Sequence, residues 1–265
     1  MASKVFVITS GKGGVGKTTT TAHLGAALAL SGKKVAVIDA DIGLRNLDIV
    51  LGLENRIVYD LVNVIEGACK LSQALVRDKR VEGLSLLPAS QSRTKEAVQP
   101  EQMKALCDEL REQFDYVLVD SPAGIEGGFR SALAGADSAI VVTTPHVAAV
   151  RDADRIIGLV EAAEKGSPQL IINRMDMNLI KKGEMLDQED VVEILAIRLL
   201  GIIPEDSAIV SASNKGEPVV MNGKSLSGEA YRRIARRLEG EDVPFIELSS
   251  DSGFFNRLKS MISSN

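Results

Sequence analysis

The chain has 265 residues, with 31 Lys and Arg against 36 Asp and Glu, a net charge of −5, six Phe, three Tyr and no Trp. That length is ample for a sizeable core, and an acidic, aromatic-poor composition argues against a nucleic-acid binder working through a broad basic face or a stacking platform. No apolar run approaches the roughly 18–20 residues of a membrane span. The two cysteines, Cys69 and Cys107, form no CxxC pair, which suits free thiols in a reducing compartment and argues against a zinc or iron–sulfur site within one chain. A single Lys precedes the first apolar run, so no targeting peptide is expected, and the expected address is the cytoplasm.

In chain order, residues 4–9 form a continuous apolar run of the buried parallel-strand type. A glycine-rich turn follows, then a helix expected over 18–30, closed by Gly32. A second strand is expected over 34–38, stopping at Asp39. Further strands are predicted at 84–87, 116–119, 138–143, 169–173 and 200–203, and helices at 100–113, 148–165, 187–197 and 226–238. The alternation predicts an α/β fold: a doubly wound, mostly parallel sheet with helices on both faces, its ligand outside the carboxyl ends of the strands. The composition breaks near Gly240, and the expected division is a domain of residues 1–243 and a linker with a terminal helix over 244–265.

The turn after the first strand reads Gly11-Lys12-Gly13-Gly14-Val15-Gly16-Lys17-Thr18, a match to GxxxxGK[ST] in the strand–loop–helix setting the motif requires. Glycines let backbone N–H groups curl around a phosphate, and the helix start adds partial positive charge. Lys17 is expected to reach the β- and γ-phosphates and the Thr18 hydroxyl to ligate Mg²⁺, with Thr19 beside them. Asp120 follows a strand and is the natural acid for Mg²⁺, with Asp39 as a second candidate. Asp41 is placed to orient or deprotonate an attacking water. Helix or turn capping is the plainer alternative for Asp39 and Asp120.

The second, early lysine makes this loop resemble the deviant Walker A box, KGGxGKT, of the ParA/MinD family of P-loop ATPases. The segments 41–48 (DIGLRNLD) and 120–125 (DSPAGI) are similar to the switch regions of its MinD branch, and 151–155, 203–206 and 212–218 match the same pattern. The resemblance covers nearly the whole chain. It implies an ATP- and Mg²⁺-dependent ATPase that dimerises with itself face to face. In that arrangement Lys12 crosses to the partner's phosphates, as an arginine finger would. It further implies that Asn173 and the backbone of Pro204, Glu205 and Asp206 cradle adenine. Arg151, Asp152, Asp154 and Arg155 would then face the regulators MinC and MinE, and the activity would place the division septum. A partitioning ATPase that binds DNA non-specifically is the alternative within the family, and the net negative charge disfavours it. An iron–sulfur relative would need cysteines near the second switch, where this chain has none.

The last stretch carries Phe254, Phe255, Leu258, Met261 and Ile262 at i, i+1, i+4, i+7 and i+8, one face of a helix, with Arg257 and Lys259 beside it. Such a segment is expected to lie on an anionic phospholipid surface. Burying five large side chains gains roughly 7–15 kcal/mol, and ordering ten residues costs about 1–2 kcal/mol each, so one tail is marginal. Two tails on one dimer gain about 10²–10⁴-fold by effective concentration. The expected location is therefore cytoplasmic, and peripheral on the inner face of the membrane in the ATP-bound dimer.

Overall fold

The apolar runs assemble into one sheet in a computed structural model that describes residues 2–125 and 127–248. The strands are β1 (Lys4–Thr9), β2 (Val35–Asp39), β3 (Val76–Arg77), β4 (Leu84–Leu87), β5 (Tyr116–Asp120), β6 (Ser138–Thr143), β7 (Gly166–Met175) and β8 (Arg198–Pro204). Their order is β3-β4-β2-β5-β1-β6-β7-β8, and all neighbours are parallel except β3 and β4. The helices are α1 (Lys17–Leu30), α2 (Leu47–Leu51), α3 (Leu61–Ile65), α4 (Leu71–Ala74), α5 (Pro100–Arg111), α6 (Gly127–Ala134), α7 (Val147–Ala162), α8 (Met177–Lys181), α9 (Gln188–Leu195), α10 (Ser207–Asn214) and α11 (Leu226–Leu238). None of the described helices is long and apolar enough to cross a membrane.

Strand periodicity builds two cores from one sheet. Val5 and Val7 face a layer that includes α5, α6, α7 and α9, whereas Phe6 and Ile8 face α1 and α11. Because both faces are covered, the central strands read as unbroken apolar runs rather than alternating ones. Strand order reverses direction about β1, with β5, β2, β4 and β3 on one side and β6, β7 and β8 on the other. The loop after β1 therefore opens at the switch point, where parallel sheets place their ligands.

Several expected boundaries move, each for a local reason. The second strand is Val35–Asp39, not 34–38, so Asp39 is a strand residue and is 1% exposed. The strand expected at 169–173 runs over Gly166–Met175. Its pairing with β6 shifts register between Ser138 and Ile140, where Pro168 has no N–H to give the ladder. The helix expected to reach residue 165 stops at Ala162, since Glu164 takes a left-handed φ of 54°. The helix expected over 187–197 is shorter at both ends, with Asp187 as its side-chain cap and Ala196 left-handed. β3 and the helices α2, α3, α4, α6, α8 and α10 had no sequence prediction.

His23 lies on α1 and is fully buried, with its ring 5.3 Å from that of Tyr231 in an edge arrangement and neither ring nitrogen hydrogen-bonded. Burial drives its pKa down to about 3 from 6.5. The folded chain thus binds fewer protons than the unfolded chain between these values. This stability is complete above pH 6.5 and is lost as pH falls toward 3. His23→Leu is expected to stabilise the chain at pH 5, relative to its effect at pH 8, by about 2 kcal/mol. Urea unfolding at the two pH values measures it, and equal effects would refute it.

Candidate active site

The phosphate loop joins β1 to α1, and its shape is fixed by what it touches. Gly16 has φ of 98°, and a methyl there would also collide with the Asn173 amide, so only glycine fits. A methyl at Gly11 would meet the backbone of Asp152, so the loop rests directly on the first turns of α7. Ser10 Oγ donates to the Lys12 carbonyl at 2.8 Å. Asn173 Nδ2 donates to the Val15 carbonyl at 2.8 Å, and Asn173 Oδ1 accepts from the Arg174 N–H at 3.0 Å. Asn173 is thus a buried strut beneath the loop as well as a wall of the site. Asn173→Ala leaves the Val15 carbonyl unpartnered and is expected to weaken nucleotide affinity about tenfold. Calorimetric titration tests this, and an unchanged dissociation constant would remove the strut.

Three side chains converge behind the loop. Lys17 is 8% exposed, and burial lowers its pKa against the opposing charges of Asp120 and Asp41. Thr18 Oγ1 donates to Asp120 Oδ2 at 2.6 Å, and Thr21 Oγ1 donates to Asp120 Oδ1 at 3.2 Å. Asp120 is 1% exposed, and burial followed by the charge of Asp39 raises its pKa to about 7. The register explains that repulsion: Asp39 and Asp120 are direct partners on adjacent parallel strands. Thr21 went unnoticed in the sequence, although it stands one helical turn after Lys17 on the same face of α1.

Asp39 does different work from its expected neighbour. Its carboxylate accepts the backbone N–H groups of Asp41, Asn46 and Leu47 at 3.0, 3.1 and 3.1 Å. Burial raises its pKa to about 6 while these hydrogen bonds pull it back. The segment 41–48 is therefore wound around the Asp39 carboxylate, whereas the Asp120 carboxylate meets the Thr18 hydroxyl of the phosphate loop. Asp41 remains half-buried, with one buried carboxylate oxygen, Oδ1, lacking a hydrogen-bond partner. Within the same segment Arg45, at φ of 34°, brings Nε to 2.8 Å from the buried Asp48 carboxylate.

Gly16, Thr19, Asn173, Pro204, Glu205 and Asp206 line one small cavity, and Ile209 and Val210 of α10 form its apolar wall. The Asp206 carboxylate is already engaged, accepting from Ala208 N at 2.8 Å and Ser225 Oγ at 2.9 Å. The wall of α10 was missed, although Asp206 caps it and Ile209-Val210 is an apolar pair one turn on.

Lys12 is exposed, and among the described residues its ammonium takes part in no ion pair. Arg151, Asp154 and Arg155 are exposed on α7 and Asp152 is half-buried, and none of these four forms an ion pair among the described residues. The amphipathic residues Phe254, Phe255, Arg257, Leu258, Lys259, Met261 and Ile262 lie outside the described residues.

A Gly-rich loop at the switch point, a buried lysine and a threonine hydrogen-bonded to a strand-end aspartate define a P-loop nucleotide-binding protein. A family model described as the CobQ/CobB/MinD/ParA nucleotide binding domain matches residues 6–219. The septum site-determining protein MinD of Bacillus subtilis is 55% identical over 260 residues, 97% of each chain. The solved MinC:MinD cell division complex of Aquifex aeolicus superposes with a TM-score of 0.87 at 49% identity, covering 92% of this chain and 99% of that one. The MinD of Pyrococcus horikoshii complexed with Mg-ADP has a TM-score of 0.81 at 29% identity, covering 89% and 96%. The chain belongs to the CobQ/CobB/MinD/ParA nucleotide-binding family, and within it to the MinD group.

Proposed function

We propose that this chain is an ATPase that dimerises on ATP, attaches to the membrane as a dimer and positions the division septum by recruiting MinC, with MinE stimulating its release. The single observation that carries the reading is the pair of lysines in one loop. Lys17 is buried beside Asp120, whereas Lys12 is exposed and free of any ion pair among the described residues. One chain holds what is needed to bind a phosphate chain, and it presents a second cation outward for another chain.

The residues present suit Mg·ATP. Gly14 and Gly16 of the loop take positive φ, and Asp41 Oδ1, close enough to Lys17 to act on its charge, is a buried carboxylate oxygen without a hydrogen-bond partner among the described residues. Lys17 and the loop amides would hold the β- and γ-phosphates, Thr18 and Asp120 the metal side, and the cavity beside Asn173 the base. Bound Mg²⁺ would neutralise charge building on the transferring phosphoryl group. Asp41 would orient the attacking water. Lys12 of a second chain would add positive charge where the transition state needs it, so hydrolysis would wait on pairing.

Contact between Gly11 and Asp152 puts the face of α7 in mechanical touch with the loop. A regulator seated on Arg151 and Asp154 could therefore sense the occupied site. The related MinC:MinD complex of Aquifex aeolicus supports MinC as one such regulator.

Vesicle sedimentation tests attachment. With ATP and anionic vesicles the chain is expected to pellet, and Phe255→Glu is expected to lower the bound fraction at least tenfold, because an ionised side chain would have to enter the apolar layer. Pelleting that survives Phe255→Glu would remove the tail as the anchor.

A further inference from the structure

The chain leaves its folded body at a fixed place. Arg237 is 9% exposed, and its guanidinium lies over the Phe245 ring with Cζ 4.2 Å from the centroid. It donates to the carbonyls of Val243 at 2.8 Å, Pro244 at 2.7 Å and Leu200 of β8 at 2.9 Å. Arg233 adds hydrogen bonds to the Pro244 and Phe245 carbonyls at 3.3 and 3.2 Å. Ile246 then packs on the core beneath α1 and α11, and Leu248 on the core of the opposite face. Between them the chain crosses the outer side of β8, the end strand of the sheet. The expected linker from residue 244 is thus packed on the body as far as Leu248.

At that crossing lies an apolar depression of about 340 Å³, lined by Met175, Met177, Ile180 and Ile202 together with Ile246 and Leu248. Asp187 and Glu189 stand on its rim. A second depression of about 370 Å³ shares Ile180 and Asp187, continues the groove toward Val147, and adds Glu184 and Asp190. No Lys or Arg lines either one.

We propose that this groove is the resting dock of the chain's own residues 252–263. That segment matches the groove in two independent ways. Its apolar stripe of Phe254, Phe255, Leu258, Met261 and Ile262 suits the apolar floor. Its charge is carried by Arg257 and Lys259 with no acid after Asp251, which suits an acidic rim. Its tether favours the same choice, since Phe254 lies six residues beyond Leu248 and can be at most about 20 Å away. So short a tether holds the segment at an effective concentration near the millimolar range. The proposal rests on the membrane reading above and deepens it. One stripe cannot occupy the groove and a lipid surface together, so docking lowers the membrane affinity of a lone chain and sharpens its dependence on pairing. If nine-tenths of the tails are docked, release raises apparent vesicle affinity about tenfold.

The absence of Trp provides a clean reporter, because Phe255→Trp in the full chain is the sole indole. Without nucleotide or lipid, its emission is expected to be blue-shifted and protected from acrylamide, equally so on tenfold dilution. Glu189→Lys on the exposed rim, and separately Met177→Asp on the floor, are expected to shift emission to the solvent value with the circular dichroism unchanged. The same changes should raise nucleotide-free binding to phosphatidylglycerol vesicles about tenfold. Solvent-like emission in the Phe255→Trp chain, protection that fails on dilution, or protection that survives both groove substitutions overturns the proposal. Failure of the membrane reading looks different. The chain would not pellet with vesicles in any nucleotide state, while protected emission in buffer and its loss in the groove variants would persist and support docking.

Discussion

Asp120→Asn is expected to slow hydrolysis sharply while making the nucleotide-free chain more stable. Asp120 is buried, receives the Thr18 and Thr21 hydroxyls, and faces Asp39 across the β2–β5 register. Burial first, and then the Asp39 charge, raises its pKa to about 7. For a carboxyl raised above its unfolded value of 3.8, the protonated form is the one the fold favours. Its contribution is complete below pH 4 and is lost as pH rises through about 7. Asn keeps the shape and carries no charge; its amide oxygen can still accept from one threonine hydroxyl, and its NH2 must donate to the other. Its advantage over Asp should therefore grow from pH 5 to pH 8, by on the order of 2 kcal/mol. Hydrolysis should fall at least about 10²-fold, the usual cost of losing one oriented electrostatic group. Thermal unfolding at both pH values and phosphate release test the two halves. A lower melting temperature for Asp120→Asn at pH 8 would mean that the carboxylate stabilises the fold and that the repulsion read from the register is offset elsewhere.

Lys12→Ala should separate binding from turnover. The residue is exposed, and among the described residues its backbone carbonyl accepts from Ser10 while its ammonium takes part in no ion pair. Nucleotide affinity of the single chain should stay within about threefold, because the groups proposed to hold the phosphates are Lys17 and the loop amides. Turnover at concentrations that permit pairing should fall about 10³-fold or more, the range of a cation supplied in trans. Turnover of the unsubstituted chain should rise with protein concentration, and that of Lys12→Ala should not. Equal turnover in the two chains at high concentration would place Lys12 outside the reaction.

Long elements were legible because each carries its own pattern. The helix over Leu226–Leu238 falls at its expected bounds, with the Ser225 side-chain oxygen accepting from the Gly228 N–H. The strand Tyr116–Asp120 was off by one residue, because a buried carboxylate ends an apolar run on paper although the backbone continues in the sheet. Short elements such as α2, α8 and α10 were not legible. Helices of five to eight residues have too few turns to show a periodicity, and they persist through contacts made elsewhere. α2, for example, packs against α1 and α10.

The division at the site follows the same line. The sequence by itself determined the phosphate loop, both lysines, Thr18 and the aspartates at the strand ends. Those residue types are required by the local backbone and by phosphate chemistry, and each stands either in the loop itself or directly at the end of an apolar strand. Only the tertiary structure decided which groups each aspartate meets. Asp39 and Asp120 look alike in sequence, each closing an apolar strand, but three amide groups of the following loop reach Asp39 and two hydroxyls of α1 reach Asp120. The strut from Asn173 to Val15, and the path of residues 244–248 across the outer side of β8, were likewise beyond the sequence. Each of these depends on groups far apart in the chain meeting at a hydrogen-bonding distance. Spacing along one strand or helix holds no information about that; it is set by how the strands, loops and helices pack together.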